Sequence, residues 1–147
     1  GIYLVVLGSL HKHNPYHAAV KAAASAEVKF VGAIYDQEIV EALRYYALFY
    51  AHGHQVGGTN PSLVESLGAD NAILAHDNPF NRWVAGDAAC YFQDVDSCSA
   101  HITRLIEDAD YCLDLQRAAR ERHSAAFTWE SICKQYLHLL KQHLPKK

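Results

Sequence analysis

The sequence predicts an α/β protein of the Rossmann-like type, with a doubly wound parallel sheet covered by helices in a single domain. Short strand-like runs alternate with amphipathic helical stretches along most of the chain. Capping residues stand directly before several of the helical stretches. A length of 147 residues suits one domain with a proper core. For such a sheet, ligands are expected at the carboxyl ends of the strands.

The part of the chain before residue 52 is predicted to contain strands and two helices. Asn14 and Pro15 provide an N-cap and a first helical residue, and they open an alanine-rich helix that runs to about residue 26. Asp36 caps a second helix with an apolar face. Tyr16, Tyr45 and Tyr46 are expected to pack against their surroundings from these helices. The predicted strands are 2–7, 28–31 and 47–50.

The rest of the chain becomes mainly helical towards its end. Pro61 opens a helix that is predicted to stop near Gly68. Two further strands, 72–75 and 88–92, are separated by a polar segment over residues 76–82. Helices are then predicted over 95–109 and from 110 to about 123. Thr128 caps a last amphipathic helix, in which Trp129 is expected to lie in the core.

Composition excludes several classes of function. The net charge of −3 and the lack of a basic stripe argue against nucleic acid as a partner. The four cysteines form no CxxC pair, which favours reduced thiols in a cytoplasmic protein. No run approaches the ~18 apolar residues of a membrane span, and no signal peptide is visible. The first strand starts at the second residue without a methionine, so we expect a piece of a longer protein.

The most informative stretch is 52–65, which we expect to join a strand to a short helix. Gly57 and Gly58 allow positive φ and a close approach of the backbone to a ligand. With Asn60 as N-cap and Pro61 as first helical residue, the helix should direct unpaired N–H groups and its positive dipole end at the loop. This arrangement favours a phosphate or diphosphate. The alternative is a tight turn that binds no ligand. The stretch is neither a Walker loop nor a GxGxxG motif.

Other polar residues near this loop are candidates for the same site. Glu65 has apolar neighbours, so its carboxylate needs hydrogen-bonding partners such as ribose hydroxyls, unless it is simply solvated. His52 and His54 are too few for a metal site, so we expect no metal. They suit a hydrogen-bonding role towards a sugar or phosphate, or a structural role. Lys12, in the loop after the first strand, is either a phosphate ligand or an ordinary loop lysine.

The segment 76–82 lies at the same predicted edge of the sheet. Asn78 and Asn81 are candidates for contact with a ligand, whereas Phe80 is expected to pack.

Five stretches spread along nearly the whole chain match one known family, namely 30–36, 50–54, 57–65, 78–82 and 127–130. The glycine block and the closing Phe-Thr-Trp-Glu are specific in combination. In these residues the chain resembles the C-terminal, donor-binding domain of GT-B glycosyltransferases. Among these enzymes it is most similar to the bacterial rhamnosyltransferase-like group, which are retaining enzymes. The resemblance implies the C-terminal half of a GT-B fold over residues 1–147, with the N-terminal acceptor domain absent.

The resemblance also implies a site for a nucleoside-diphosphate sugar. Glu65 matches the second glutamate of a Glu-(seven residues)-Glu pattern, which binds the ribose. Gly57 stands where the first glutamate is usual, and Ser9 stands near a usual arginine, which leaves Lys12 as the cation. His54 is a candidate to replace part of the missing sugar contact. The substrate-binding residues expected on all these grounds are Lys12, Ile34, Tyr35, His54, Gly57, Gly58, Thr59, Asn60 and Glu65.

The implied activity is transfer of a sugar, with rhamnose as the family-weighted choice, from a dTDP- or UDP-linked donor. The acceptor is a cell-surface polysaccharide or a lipid-linked molecule, and the full enzyme is expected in the cytoplasm or at the inner face of the membrane. In such a site Ile34 and Tyr35 lie against the nucleobase, and no cofactor is expected. The isolated chain is expected to be inactive, and no catalytic residue is evident. The alternatives are a nucleotide-sugar epimerase of GT-B shape and a non-catalytic nucleotide-sugar binding domain.

Overall fold

A computed structural model describes residues 1–144 of the chain as alternating strands and helices. The strands are β1 (Leu4–Leu7), β2 (Val28–Gly32), β3 (Phe49–His52), β4 (Ala72–His76) and β5 (Ala89–Phe92). The helices are α1 (Pro15–Ala23), α2 (Gln37–Tyr45), α3 (Pro61–Gly68), α4 (Pro79–Ala85), α5 (Val95–Glu107), α6 (Ala109–Ala126) and α7 (Trp129–His143). A short 3-10 turn, Gly86–Ala88, joins α4 to β5. The α/β class predicted from the sequence is confirmed.

All strand pairs are parallel, but they form two sheets where the sequence indicated one. In the described residues β1 pairs with β2, and a second sheet has the order β3-β4-β5. The chain divides correspondingly into two compact units, Gly1–Leu43 and Arg44–Lys147. Alternation of strands and helices predicts that the strands are parallel, but it does not specify which strands are neighbours. The number of sheets therefore had to come from the structure.

The second unit contains a core on each face of its sheet. β4 is the central strand, and its first four residues are completely buried. Ile73 and Ala75 belong to one apolar cluster, with side chains of α3, α4 and α6. Ala72 and Leu74 belong to another, with side chains of α5 and α6. Because successive residues of a strand point to opposite faces, this one apolar strand supports both layers of helices.

Three helices of the chain begin with the same pair of residues, asparagine followed by proline. Asn14, Asn60 and Asn78 cap α1, α3 and α4, and each side chain accepts at least one hydrogen bond from a backbone N–H group in the first turn. The segment 76–82, predicted only to be polar, contains the start of α4 at Pro79, a helix that the sequence analysis did not identify. The Asn-Pro signal that correctly predicted α1 and α3 was also present there.

Several aromatic residues expected to pack are exposed. Trp129 is 83% exposed at the start of α7, and Tyr16, Tyr45 and Tyr46 are 72%, 71% and 82% exposed. Phe80, also expected to pack, is 50% exposed. These expectations are wrong for a common reason. An apolar residue in a helical pattern identifies a face of the helix, but not whether another element covers that face.

Among residues 1–144, no helix is both long enough and apolar enough to span a membrane. The four cysteines are free; Cys90 and Cys112 are buried, whereas Cys133 is exposed.

Candidate functional site

A small pocket lies where β3 ends and the glycine-rich loop leads into α3. It encloses about 120 Å³, which is the space of about four water molecules. Pockets that enclose a drug-sized ligand measure about 300–1,000 Å³, so this one suits only part of a larger ligand. Its lining residues are His52, His54, Val56, Gly57, Gly58, Thr59, Asn60, Pro61, Asn78, Phe80 and Asn81.

The predicted loop residues Gly57, Gly58, Thr59 and Asn60 all line this pocket. Gly57 has φ of 133°, in the region that favours glycine. A Cβ atom at Gly57 or Gly58 would meet nothing within 4 Å, so space is not what selects glycine. At Gly57 the backbone conformation selects it. This finding gives a physical reason for the absence of a glutamate at this position.

The first turn of α3 is closed by its own cap. The Asn60 Oδ1 accepts a hydrogen bond from the Ser62 N–H at 3.0 Å. The Asn60 carbonyl accepts from Leu63 and Val64 N–H groups at 3.1 and 3.3 Å, and Pro61 has no N–H. The expectation that α3 directs unpaired N–H groups at the loop is therefore wrong. The predicted cap residue Asn60 itself accepts the hydrogen bonds of these N–H groups, so they are not available to a ligand.

Loop amides remain as donors beside the helix dipole. Within residues 1–144, the backbone N–H groups of Gly57, Gly58, Thr59 and Asn60 donate no hydrogen bond. They precede the N-terminus of α3, where the helix dipole favours negative charge. The combination of free loop amides and a helix dipole suits an anionic group, without any charged side chain in the pocket lining.

The other wall of the pocket comes from α4, and it fastens the loop. Asn78 Nδ2 and Asn81 Nδ2 donate to the carbonyl oxygen of His54 at 2.9 and 3.1 Å. Asn78 Oδ1 accepts from the N–H groups of Phe80 and Asn81, and so caps α4. Asn81 Nδ2 also donates to the carbonyl of His76 at 2.9 Å. The amide groups expected to contact a ligand thus hold the protein's own backbone.

His52, the last residue of β3, stacks on His54 in the following loop, and both line the pocket. His52 is 1% exposed, and its ring centroid lies 4.7 Å from that of His54. Burial, with a smaller contribution from His54, lowers the pKa of His52 to about 4. The Nδ1 atom lies 3.5 Å from the Tyr50 hydroxyl. The Nε2 atom is buried and has no hydrogen-bond partner in the described part of the chain.

Two residues to which the sequence analysis assigned no role in the site, Tyr50 and Ser62, connect this histidine to the cap of α3. The Tyr50 hydroxyl lies 2.9 Å from Ser62 Oγ, and Ser62 Oγ donates to Asn60 Oδ1 at 2.7 Å. A signal for Tyr50 was available, because Tyr50 and His52 are two residues apart on one strand and so share a face of the sheet. The connection to Ser62 depends on tertiary structure and has no counterpart in the sequence spacing.

Glu65 forms an ion pair instead of lining the pocket. Its Oε2 lies 2.6 Å from the Arg44 guanidinium, and about half of its side chain (53%) is exposed. The Arg44 carbonyl accepts a hydrogen bond from Asn71 Nδ2 at 2.7 Å, which ties the end of α2 to the turn before β4. The carboxylate thus has the partner that the sequence analysis required, although that partner is an arginine of the same chain.

The remaining predicted residues belong to the unit Gly1–Leu43. Lys12 is exposed in the loop after β1. Ile34 is partly buried and Tyr35 is 93% exposed, in the segment after β2. Their binding roles stay predictions.

Residues 1–144 contain no cluster of three or more histidine, cysteine, aspartate or glutamate side chains arranged to hold a metal ion.

Comparison with known proteins identifies the fold. No protein-family model matches the chain, and no curated protein matches it. A solved structure of sucrose-phosphate synthase from Thermosynechococcus elongatus is similar, with a TM-score of 0.80 at 19% sequence identity. The match covers 95% of this chain and 38% of that chain, so the chain spans about two fifths of the synthase. The chain therefore has a Rossmann-like α/β fold that matches half of a GT-B architecture.

Proposed function

We propose that this chain is the donor-binding domain of a GT-B glycosyltransferase and that its pocket holds part of a nucleoside-diphosphate sugar. The observation that carries the proposal is the glycine-loop pocket after β3, within a fold similar to that of a sucrose-phosphate synthase. In parallel α/β sheets, ligands bind outside the carboxyl ends of the strands. The full enzyme, with an acceptor-binding domain that precedes this chain, transfers the sugar to a polysaccharide or lipid-linked acceptor.

The diphosphate is bound by the loop backbone. The free N–H groups of residues 57–60 donate to its oxygens, and the dipole of α3 adds a favourable field. During transfer, negative charge grows on the departing nucleoside diphosphate. Preorganised amides stabilise that charge without having to reorganise. This is the contribution that the domain makes to catalysis, and it requires no side-chain nucleophile from this chain.

Glu65 binds the ribose in this proposal. Its ion pair with Arg44 engages Oε2 and orients the carboxylate, while half of the side chain remains exposed. A carboxylate oxygen accepts hydrogen bonds from hydroxyl groups, so ribose hydroxyls are suitable partners. The roles expected of Lys12, Ile34 and Tyr35, which belong to the unit Gly1–Leu43, stay predictions from the sequence. Rhamnose from a dTDP-linked donor remains the family-based choice of sugar.

Titration of the chain with UDP, dTDP and their hexose conjugates tests the proposal. We expect chemical-shift changes at the amides of residues 57–60 and an increased melting temperature, because a ligand that binds only the folded state stabilises it. The Thr59→Pro variant removes one loop N–H and should weaken binding. If none of these nucleotides shifts an amide or the melting temperature, the proposed function is wrong.

The ribose contact has its own test. Glu65→Gln should reduce the preference of the chain for UDP over 3′-deoxy-UDP and for dTDP over 3′-deoxy-dTDP, because both sugars carry a 3′-hydroxyl and the amide is a poorer acceptor than the carboxylate. Glu107→Gln, at the exposed end of α5, is the matched control and should leave the preference unchanged. If the wild type and Glu65→Gln show the same preference, Glu65 does not contact the ribose, and the proposed binding of the diphosphate is unaffected.

A further inference from the structure

A chain of hydrogen bonds from Asn60 through Ser62 to Tyr50 favours one of the two neutral tautomers of His52. The Asn60 Oδ1 accepts from both the Ser62 N–H and the Ser62 hydroxyl. Because a serine hydroxyl has one hydrogen, the Ser62 Oγ must accept from the Tyr50 hydroxyl, at 2.9 Å. The tyrosine hydrogen is then also used. The Tyr50 oxygen can then act towards His52 only as an acceptor, and its 3.5 Å contact with Nδ1 favours the tautomer with the hydrogen on Nδ1.

The other nitrogen of the ring is consequently a bare acceptor. His52 lines the pocket and is 1% exposed, and its Nε2 has no hydrogen-bond partner among residues 1–144. The low pKa of His52 keeps the ring neutral near pH 7, and in the tautomer favoured by Tyr50, with the hydrogen on Nδ1, Nε2 presents a lone pair. The titratable side chains that line the pocket are His52 and His54, and the lining contains no carboxylate.

The lone pair on Nε2 favours a ligand group that donates a hydrogen bond over one that only accepts. Phosphate and carboxylate oxygens at neutral pH bring only lone pairs, so they are repelled by Nε2. A hydroxyl group donates its hydrogen and satisfies the buried nitrogen. The loop amides of residues 57–60 have the opposite preference, since they donate and suit an anion. The pocket therefore has a donor side and an acceptor side.

We propose that His52 determines specificity in this pocket by accepting, at Nε2, a hydrogen bond from a hydroxyl group of the sugar. The inference rests on the proposed function, because it takes the ligand to be a sugar attached to a diphosphate. It assigns an orientation to that ligand. The diphosphate lies against the loop amides, and a sugar hydroxyl lies against His52.

Three variants of the full chain test this role. His52→Phe keeps a ring and removes the acceptor, whereas His52→Gln retains an acceptor oxygen at the end of the side chain. His76→Phe is the matched control, because His76 Nδ1 is also buried and unpartnered but His76 does not line the pocket. The probes are UDP, dTDP, UDP-glucose and dTDP-rhamnose, with dissociation constants from calorimetry and folding checked by circular dichroism.

His52→Phe should lower the affinity for the nucleotide sugar that the wild type prefers by about tenfold or more, because one buried hydrogen bond is lost. The affinity for the matching nucleoside diphosphate should not change. His52→Gln should restore most of the lost affinity, and His76→Phe should behave like the wild type. Equal weakening of nucleotide and nucleotide sugar, or no rescue by glutamine, would overturn the role of His52 while leaving the proposed function standing.

The tautomer has a separate test that needs no ligand. Nitrogen-15 NMR of the histidine rings should show His52 protonated at Nδ1 and unprotonated at Nε2, and Tyr50→Phe should remove that bias. A hydrogen on Nε2 in the wild type would overturn the inference whatever binds. If no probe binds the wild type, the proposed function fails and the sugar contact fails with it.

Discussion

Burial changes the acid–base chemistry of His52. The ring is enclosed at the end of β3, where its positive form would lose its hydration and lie against His54. The pKa is consequently lowered from 6.5 to about 4. At low pH the unfolded chain binds a proton at His52 that the folded chain does not bind, so lowering the pH reduces the free energy of unfolding.

We therefore expect the free energy of unfolding to fall as the pH is lowered from 6.5 towards 4. In this window the unfolded chain binds a proton at His52 and the folded chain does not. The contribution of the neutral His52 ring to stability is therefore fully present above pH 6.5 and is lost as the pH falls towards 4. The pKa difference corresponds to at most about 3 kcal/mol. Urea unfolding across this pH range should give a shallower dependence for His52→Gln than for the wild type. Identical dependence in both proteins would contradict the shifted pKa.

The four cysteines should differ in reactivity. Burial raises the pKa values of the Cys90, Cys98 and Cys112 thiols, which lowers the fraction of reactive thiolate. Cys133 is exposed on α7. An aromatic disulfide reagent at neutral pH should label one thiol quickly and the others slowly. Cys133→Ser should abolish the fast phase and Cys98→Ser should not; a fast phase that survives Cys133→Ser would refute the assignment.

At the level of residues, local signals were predictable and tertiary partners were not. Asn60 and Pro61 start α3 as their sequence indicates, because capping depends on neighbours one to three residues away. The pair formed by Glu65 and Arg44 joins two helices that flank β3. No spacing rule predicts such a pair, since it depends on how the helices pack.

Among the elements, α4 links helix capping to the geometry of the pocket. Its cap residue Asn78 uses Oδ1 for the helix and Nδ2 for the carbonyl of His54. Asn78→Ala should lower the free energy of unfolding by about 2 kcal/mol, about half from the cap and half from the amide hydrogen bond. Asn78→Ser retains a capping oxygen and should cost about 1 kcal/mol. Urea unfolding measures both; equal losses in the two variants would mean that the contact with the loop contributes nothing.

Strand and helix types were more predictable than their associations. β4 is a short apolar run, and it is buried on both faces as such a run indicates. The apolar side of α7 was equally clear from its period, yet Trp129 is exposed. Periodicity reports which residues share a face, whereas coverage of that face depends on residues distant in sequence.

For the whole molecule, burial is confined to one stretch of the sequence. Every buried residue in the part of the chain that the structure describes lies between His52 and Ala119. The unit Gly1–Leu43 has no buried residue. Elements with few buried apolar contacts open locally at low free-energy cost.

Hydrogen exchange should therefore differ along the chain. We expect amides of β4 to be the most protected and amides of β1 and β2 to exchange much faster. Mass spectrometry on peptides of the full chain measures this pattern. Protection of β1 and β2 equal to that of β4 would show that the first unit is stabilised by more than its burial indicates.

The contacts between α4 and the loop have a consequence for the entropy of ligand binding. The His54 carbonyl is held by Asn78 and Asn81, and Asn60 is held as the cap of α3. The backbone that a ligand still has to order is then the interval 55–59 between those two fixed points. Ordering one residue costs about 1–2 kcal/mol, so each residue fixed in advance leaves more of the contact energy for affinity. Asn78 and Asn81 thus favour ligand binding through the loop backbone, because they shorten the segment whose freedom is lost when a ligand binds.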